Sequence, residues 1–245
     1  MPAFLLQPEN VDGEFAVLGG DEAHHVYVRR YKVGDEIDAI DGNGCGYQMR
    51  IVAMERGQVR GQILARRREW GESPVQLSLA PALIKGQRFD FVIEKATEVG
   101  VRRIVPLLTE RGVVRQGKGN KEVRWQRLIE AAAKQCGRSR LPTLDAPMSL
   151  NASIAALQVE TDVLLMAAPE DADIDLRAFI QAKTPGRVGL LIGPEGGFSP
   201  AERTLARASA VQSFCWGKRT LRADTASIAL AALVLYEAER AFIGQ

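Results

Sequence analysis

The chain has 245 residues, 46% hydrophobic and 25% charged, proportions that exclude a disordered or fibrous protein. Its net charge of +2 hides a pattern: residues 1–83 hold 9 basic and 12 acidic residues, 84–140 hold 14 and 6, and 141–245 hold 9 and 12. A cationic middle between two acidic stretches reads either as a polyanion-binding surface or as a solvated, ion-paired helix face.

Turn-bounded, strand-like runs dominate the first 70 residues. They lie at Glu14–Leu18, Glu36–Ile40, Gly46–Met54 and Gln58–Ala65, with one helix at Asp21–Arg30. This spacing predicts a small β-barrel or sheet. The polar run from Arg66 to Pro74 reads as a linker. Beyond it strands and helices alternate. The strands are Val75–Leu83, Ile104–Leu108, Asp162–Ala168, Arg187–Ile192 and Val211–Trp216. The helices are Arg88–Val99, Glu122–Cys136, Leu176–Lys183, one from Pro200, and Thr225–Phe242. Such βα units predict an α/β domain with a largely parallel sheet.

Several chemistries are not expected. His24 and His25 are the only histidines, and Cys45, Cys136 and Cys215 are widely spaced, so no metal-ligand spacing or disulfide framework is present. Reduced thiols and a start, Met1-Pro2-Ala3-Phe4, without a basic, apolar leader suggest a cytoplasmic protein. The longest apolar run, Ile228–Tyr236, is too short to span a membrane.

Chemistry concentrates in three places. In Gly189–Glu202 a buried strand opens into Gly193-Pro194-Glu195-Gly196-Gly197 and then a helix, with Ser199 as N-cap, Pro200 at N1 and Glu202 closing a capping box. Glycines there allow a ligand to approach the backbone, and ligands in open α/β sheets bind at the carboxyl ends of strands. The P-loop and dinucleotide fingerprints are both absent. The second stretch, Trp216–Ala226, also joins a strand to a helix, with Asp224 or Thr225 as cap. Its Arg222 and Asp224 are the candidate catalytic pair, the alternative being a cap with a surface ion pair. The third is the turn Gln135-Cys136-Gly137-Arg138 with Arg140. It shares the cationic segment with Arg102, Arg103, Arg111, Arg115, Lys118, Lys121, Arg124 and Arg127, residue types that contact phosphates.

Ile93–Gly100, Gln135–Arg138, Ile192–Gly197 and Leu221–Ala226, in this order, together with His25–Asp35, resemble the RsmE family. These are bacterial 16S rRNA uridine N3-methyltransferases of the SPOUT, trefoil-knotted class. The resemblance spans nearly the whole chain. It implies a PUA-like β-barrel over residues 1–70 that helps hold RNA and a knotted methyltransferase domain over 75–245. It implies S-adenosyl-L-methionine against Met166, Ala167, Ile192, Gly193, Pro194, Gly196 and Gly197, and against Trp216, Gly217, Leu221, Thr225 and Ala226. It also implies a homodimer, and as target N3 of uridine 1498 in 16S rRNA of the small ribosomal subunit. RNA contacts are then expected from Arg29, Arg30, Lys32, Arg111, Gln135, Arg138, Arg140, Lys218 and Arg219. Asp224 would take or orient the N3 proton as general base and Arg222 would stabilise the resulting anion. Methyl transfer from a sulfonium needs no metal, consistent with the few histidines and cysteines. Two other readings stay open: a non-catalytic RNA-binding protein, and a knotted enzyme acting on tRNA or a ribose 2′-OH.

Overall fold

The computed structural model describes residues 3–113 and 121–243, so the expected cations Arg115 and Lys118 lie outside the described residues. The chain divides into two compact units, one of Met1–Glu72 with Ile129–Leu141 and one of Ser73–Leu128 with Pro142–Gln245.

The first unit contains β1 (Phe4–Leu5), β2 (Val11–Asp12), β3 (Phe15–Gly19), α1 (Gly20–Val28), β4 (Glu36–Ile40), β5 (Cys45–Glu55) and β6 (Gln58–Arg68). The strands form one sheet in the order β1-β4-β5-β6-β3-β2. Only the β1–β4 pair is parallel. Strand alternation sends Tyr47, Met49 and Ile51 of β5 into a core shared with Phe4, Leu18, Val26 and Ile37. The long β5–β6 hairpin turns at Gly57, whose φ of +83° favours glycine. Its register shifts between Gln48 and Met49 and between Ile51 and Ala53, irregularities that sharpen strand twist. Arg66, Arg67 and Arg68 are not linker, because β6 continues through them, paired with Tyr47, Gly46 and Cys45. Their polarity marks an exposed strand end rather than a break in structure.

The second unit runs β7 (Gln76–Pro81), α2 (Gln87–Val99), β8 (Arg103–Ile104), β9 (Leu107–Leu108), α3 (Lys121–Cys136), β10 (Thr143–Leu144), β11 (Met148–Ser149) and α4 (Leu150–Gln158). It continues with β12 (Val163–Ala167), α5 (Leu176–Lys183), β13 (Arg187–Ile192), α6 (Pro200–Ala208), β14 (Gln212–Phe214) and α7 (Ala223–Ile243). The main sheet, β10-β8-β7-β13-β12-β14, is parallel throughout. Its central residues Leu79, Leu165, Leu190 and Leu191 are wholly buried, as expected for strands covered on both faces. The single strand expected at Ile104–Leu108 is instead two. Pro106 offers no N–H to a ladder, so β8 pairs with β7 and β10 while β9 turns away to pair with β11. Helix α2 buries Phe89, Val92, Ile93 and Ala96 and stops at Gly100, with φ +109°.

At the amino ends of β12 and β13, Asp162 accepts the backbone N–H of Arg187 at 2.8 Å and its guanidinium at 2.7 Å. Burial pushes this carboxyl up, but the hydrogen bonds and charge of Arg187 outweigh it and hold the acid below its usual 3.8. A carboxylate depressed in the folded state stabilises above its unfolded pKa and loses that contribution as pH falls through the folded value. The pair is about half-exposed, so Asp162→Asn is expected to cost under ~1 kcal/mol at pH 7 and progressively less as the pH falls below the carboxyl's folded value. Urea unfolding across this pH range checks this.

Residues 129–141 belong to the first unit, although α3 begins in the second. There Lys134 pairs with Glu22 at 2.5 Å, Arg140 pairs with Glu69, and Arg138 pairs with Glu72 at 2.7 Å. In the second unit Arg103 reaches Asp145 and Glu160, both at 2.6 Å. The carboxylates come from the acidic stretches on either side of residues 84–140. Among the described residues, Arg103, Lys134, Arg138 and Arg140 are therefore neutralised within their own units, while Lys121, Arg124 and Arg127 stay exposed.

Candidate functional site

The loops after β12, β13 and β14 meet at the carboxyl ends of their strands and enclose a cavity of about 290 Å³. Its floor and walls include Ala167, Ile192, Phe198, Phe214, Leu221, Ala226 and Leu230. Gly193, Pro194, Gly196 and Gly197 form one rim, and Trp216 with Gly217 another. Glu170, Glu195, Lys218 and Arg219 supply its charged groups. The mostly apolar lining with a few polar groups is that of a small-molecule site.

Local hydrogen bonds fix the central loop. Ser199 Oγ accepts from Glu202 N at 3.1 Å, and Glu202 Oε2 accepts from Ser199 N at 2.7 Å, the expected capping box. The other oxygen of this buried carboxylate accepts from Glu110 N at 2.9 Å, so the box also anchors the segment after β9. Gly197 adopts φ +66° and donates its N–H to Pro194 O at 2.8 Å. A side chain at Gly193 would press on Phe198 and on the backbone of Gly197 at 3.2–3.3 Å. Arg203 spans two walls of the cavity: its Nε donates to Asp171 after β12 at 2.6 Å, and its Nη1 to Phe198 O after β13 at 2.8 Å.

Of the expected cofactor contacts, Met166 and Thr225 are not in the lining. Met166 is buried in the core beneath the cavity, and Thr225 is exposed on α7. Both follow from backbone geometry, since strand residues alternate between faces and helical residues three or four apart share one. Sequence reasoning missed Pro169, Glu170, Glu195, Phe198, Phe214, Cys215, Thr220, Ala223 and Leu230 in the lining. Most adjoin motif positions. Leu230 was legible as the residue four beyond Ala226 on one helix face.

Helix α7 starts two residues earlier than expected, at Ala223 rather than Thr225. Arg222 O accepts from Ala226 N at 2.8 Å, so Arg222, rather than Asp224 or Thr225, occupies the cap position. Asp224 lies in the first turn, where its carboxylate accepts from Thr225 N at 2.8 Å. Arg222 is exposed and has no carboxylate partner among the described residues. A cation gains nothing from a helix N-terminus, so the stability of α7 does not explain it. Neither residue lines the cavity, but their neighbours Leu221 and Ala223 do, which puts the pair at its edge.

The expected RNA contacts fare unevenly. Arg29, Arg30 and Lys32 are exposed after α1, and Gln135 is exposed on α3. Lys218 and Arg219 belong to the cavity. Arg111 donates to Gly196 O at 2.7 Å and so braces the glycine loop. Arg138 is 2% exposed and its guanidinium lies against Glu72, so it is held in a buried ion pair rather than presented to solvent. Arg140 is likewise engaged, with Glu69. Burial pushes its guanidinium pKa down, but the Glu69 hydrogen bonds, the largest influence, raise it overall. No group of three or more potential metal ligands occurs among the described residues, and none of their helices is long and apolar enough to cross a membrane.

Residues 71–235 match the RNA methyltransferase domain family, and 18–64 match the RNA methyltransferase PUA domain. The ribosomal RNA small subunit methyltransferase E of Synechocystis is 33% identical over 230 residues, covering 93% of this chain and 75% of that protein. The Mycobacterium tuberculosis protein of the same name is 30% identical, covering 90% and 86%. Among solved structures, ribosomal RNA small subunit methyltransferase E from Neisseria gonorrhoeae, bound to S-adenosyl methionine, superposes with a TM-score of 0.80 at 29% identity, covering 96% of this chain and 97% of the other. A methyltransferase from Legionella pneumophila with bound SAM gives 0.80 at 28% identity, over 96% and 97%. With its two domains matched in order and its glycine-rich cavity at the sheet's carboxyl edge, the chain belongs to the ribosomal RNA small subunit methyltransferase E family.

Proposed function

We propose that the chain uses S-adenosyl-L-methionine to methylate N3 of a uridine, position 1498, in 16S rRNA of the small ribosomal subunit. The observation that carries this reading is the cavity at the ends of β12, β13 and β14, with its bare glycine rim and apolar floor. Its size and lining fit the adenosyl and methionyl parts of the cofactor. Gly193–Gly197 and Leu221 would hold it by backbone and apolar contact, and the charged rim would meet its amino-acid end. When bound, the cofactor supplies an activated methyl group.

The chain's own task is to make a weak nucleophile reactive, because uracil N3 carries a proton. Asp224, at the edge of the cavity, takes that proton as general base. Arg222, free of a carboxylate partner, stabilises the uracil anion. Arg29, Arg30, Lys32 and Gln135 are exposed and suited to the RNA backbone. The same reading includes a cytoplasmic homodimer with the trefoil-knotted chain path of the family. Support for the dimer comes from exposed Phe91 on α2 and Tyr236 and Phe242 on α7, two helices that pack together.

Calorimetry tests the cofactor: one equivalent of S-adenosylmethionine per chain is expected to bind, and no heat at millimolar ligand would contradict the reading. Arg203→Met removes its hydrogen bonds to Asp171 and to Phe198 O, which brace the segments after β12 and β13. It is expected to weaken cofactor binding about 10- to 100-fold, the worth of a charge-assisted hydrogen bond, in the same titration.

A further inference from the structure

We infer that two charged side chains on separate rims of the cavity read the amino-acid end of the cofactor: Glu170 takes its α-ammonium and Arg219 its α-carboxylate. On the cofactor reading above, on which this assignment rests, Arg219 serves the small molecule and not the RNA that its sequence position suggests.

The charged groups of the lining differ in their partners. Glu195 is compensated by Arg88, 3.2 Å away in the first turn of α2. After β12, the turn Pro169–Asp171 carries two neighbouring carboxylates. Asp171 is taken by Arg203 at 2.6 Å and approached by Arg207 at 3.7 Å. Glu170 is exposed and has no cationic partner among the described residues. In the loop after β14, Arg219 is exposed and has no carboxylate partner among them. No ion pair joins these two residues across the cavity.

Two glycines show where the uncompensated charges lie. Gly197 and Gly217 belong to different rims and adopt φ of +66° and +70°. A Cβ at Gly197 would lie 4.0 Å from Glu170 Oε1, and one at Gly217 would lie 3.8 Å from Arg219 Nη2. The carboxylate therefore overhangs the loop after β13, and the guanidinium folds back over its own loop. Cys215 Sγ ties that loop by donating to Gly217 O at 3.1 Å.

A carboxylate alone would suit a simple cation, and a guanidinium alone would suit a phosphate. The two together, on two walls of one cavity, match a zwitterion. The planar fork of Arg219 can hold a carboxylate through two parallel N–H···O bonds, which a lysine cannot do. The apolar floor takes the adenosyl part, so the charged end of the ligand meets the wet rim. There neither side chain is buried unpaired before the ligand arrives, a state that would be costly.

Calorimetric titration of the full-length protein with four nucleosides separates the contacts. S-adenosylmethionine carries both groups, and its decarboxylated form keeps only the ammonium. Methylthioadenosine lacks the amino-acid end, and S-adenosylhomocysteine keeps both groups without the sulfonium charge. Arg219→Gln is expected to weaken S-adenosylmethionine about tenfold, the lower range for a charge-assisted hydrogen bond, and not to weaken the decarboxylated form. Glu170→Gln is expected to weaken S-adenosylmethionine, its decarboxylated form and S-adenosylhomocysteine about tenfold each. Methylthioadenosine should bind both variants as it binds the wild type, which shows that the adenosyl site is intact. Arg219→Gln within twofold of wild type for S-adenosylmethionine would overturn the inference. So would a Glu170→Gln loss that vanishes with S-adenosylhomocysteine, because the carboxylate would then answer the sulfonium. Equal losses for all four ligands would mark a structural defect and contradict the pairing as well. Wild-type protein that binds none of the four would contradict the cofactor reading itself and the pairing with it.

Discussion

Replacing Glu72 by alanine is expected to destabilise the first unit by about 3–5 kcal/mol, the cost of breaking a buried ion pair from one side. The side chains of Glu72 and Arg138 are 4% and 3% exposed. Arg138 donates to the two carboxylate oxygens at 3.3 and 2.7 Å, and Glu72 Oε1 also accepts the backbone N–H of Arg140 at 2.8 Å. Alanine removes the carboxylate from a buried guanidinium and from a backbone donor together. Glu72→Met with Arg138→Met removes both charges and should cost less than either single change. Arg140→Ala, whose partner Glu69 is half-exposed, should cost under ~1 kcal/mol. Urea unfolding of Glu72→Ala, the double methionine variant and Arg140→Ala gives the ranking. Equal costs for Glu72→Ala and Arg140→Ala would show that burial is not what matters at this turn.

The second large effect is on catalysis. Arg222→Ala is expected to lower the methyl-transfer rate about 10²- to 10³-fold, the usual consequence of removing one donor to a developing anion. Cofactor affinity should stay within twofold, because Arg222 is not in the cavity lining. Asp224 needs a finer comparison, since its carboxylate also accepts from Thr225 N. Asp224→Asn keeps an acceptor oxygen there but removes the base. If Asp224 takes the proton, asparagine and alanine variants are slowed alike in single-turnover assays. If asparagine retains the wild-type rate, the residue only supports α7.

The parts of the fold governed by local periodicity were legible. Glu36–Ile40, Leu176–Lys183 and Arg187–Ile192 fall at their expected bounds, and the Ser199–Glu202 capping box forms as its spacing predicts. Helix α4 was missed although Ser149 caps it and Leu150, Ile154 and Leu157 follow a helical period. It is only nine residues long, and the polar Ser153 interrupts the apolar stripe. What sequence could not show was pairing across distance. Arg103, Lys134, Arg138 and Arg140 read as free cations because their partners, Glu22, Glu69, Glu72, Asp145 and Glu160, lie tens of residues away. The cofactor loops were readable because each is a contiguous strand-to-helix connection. Met166 lies outside the cavity lining because alternation within β12 turns its side chain to the core.

The central claim is that this cavity serves methyl transfer to one uridine of 16S rRNA. Its most direct test is incubation of the purified protein and S-adenosylmethionine with small ribosomal subunits from a strain lacking the enzyme, followed by mass spectrometry of the 16S rRNA. The account predicts one added methyl, on N3 of uridine 1498, absent with Arg222→Ala. Unmodified 16S rRNA, or a methyl on a ribose or on another RNA, would contradict it.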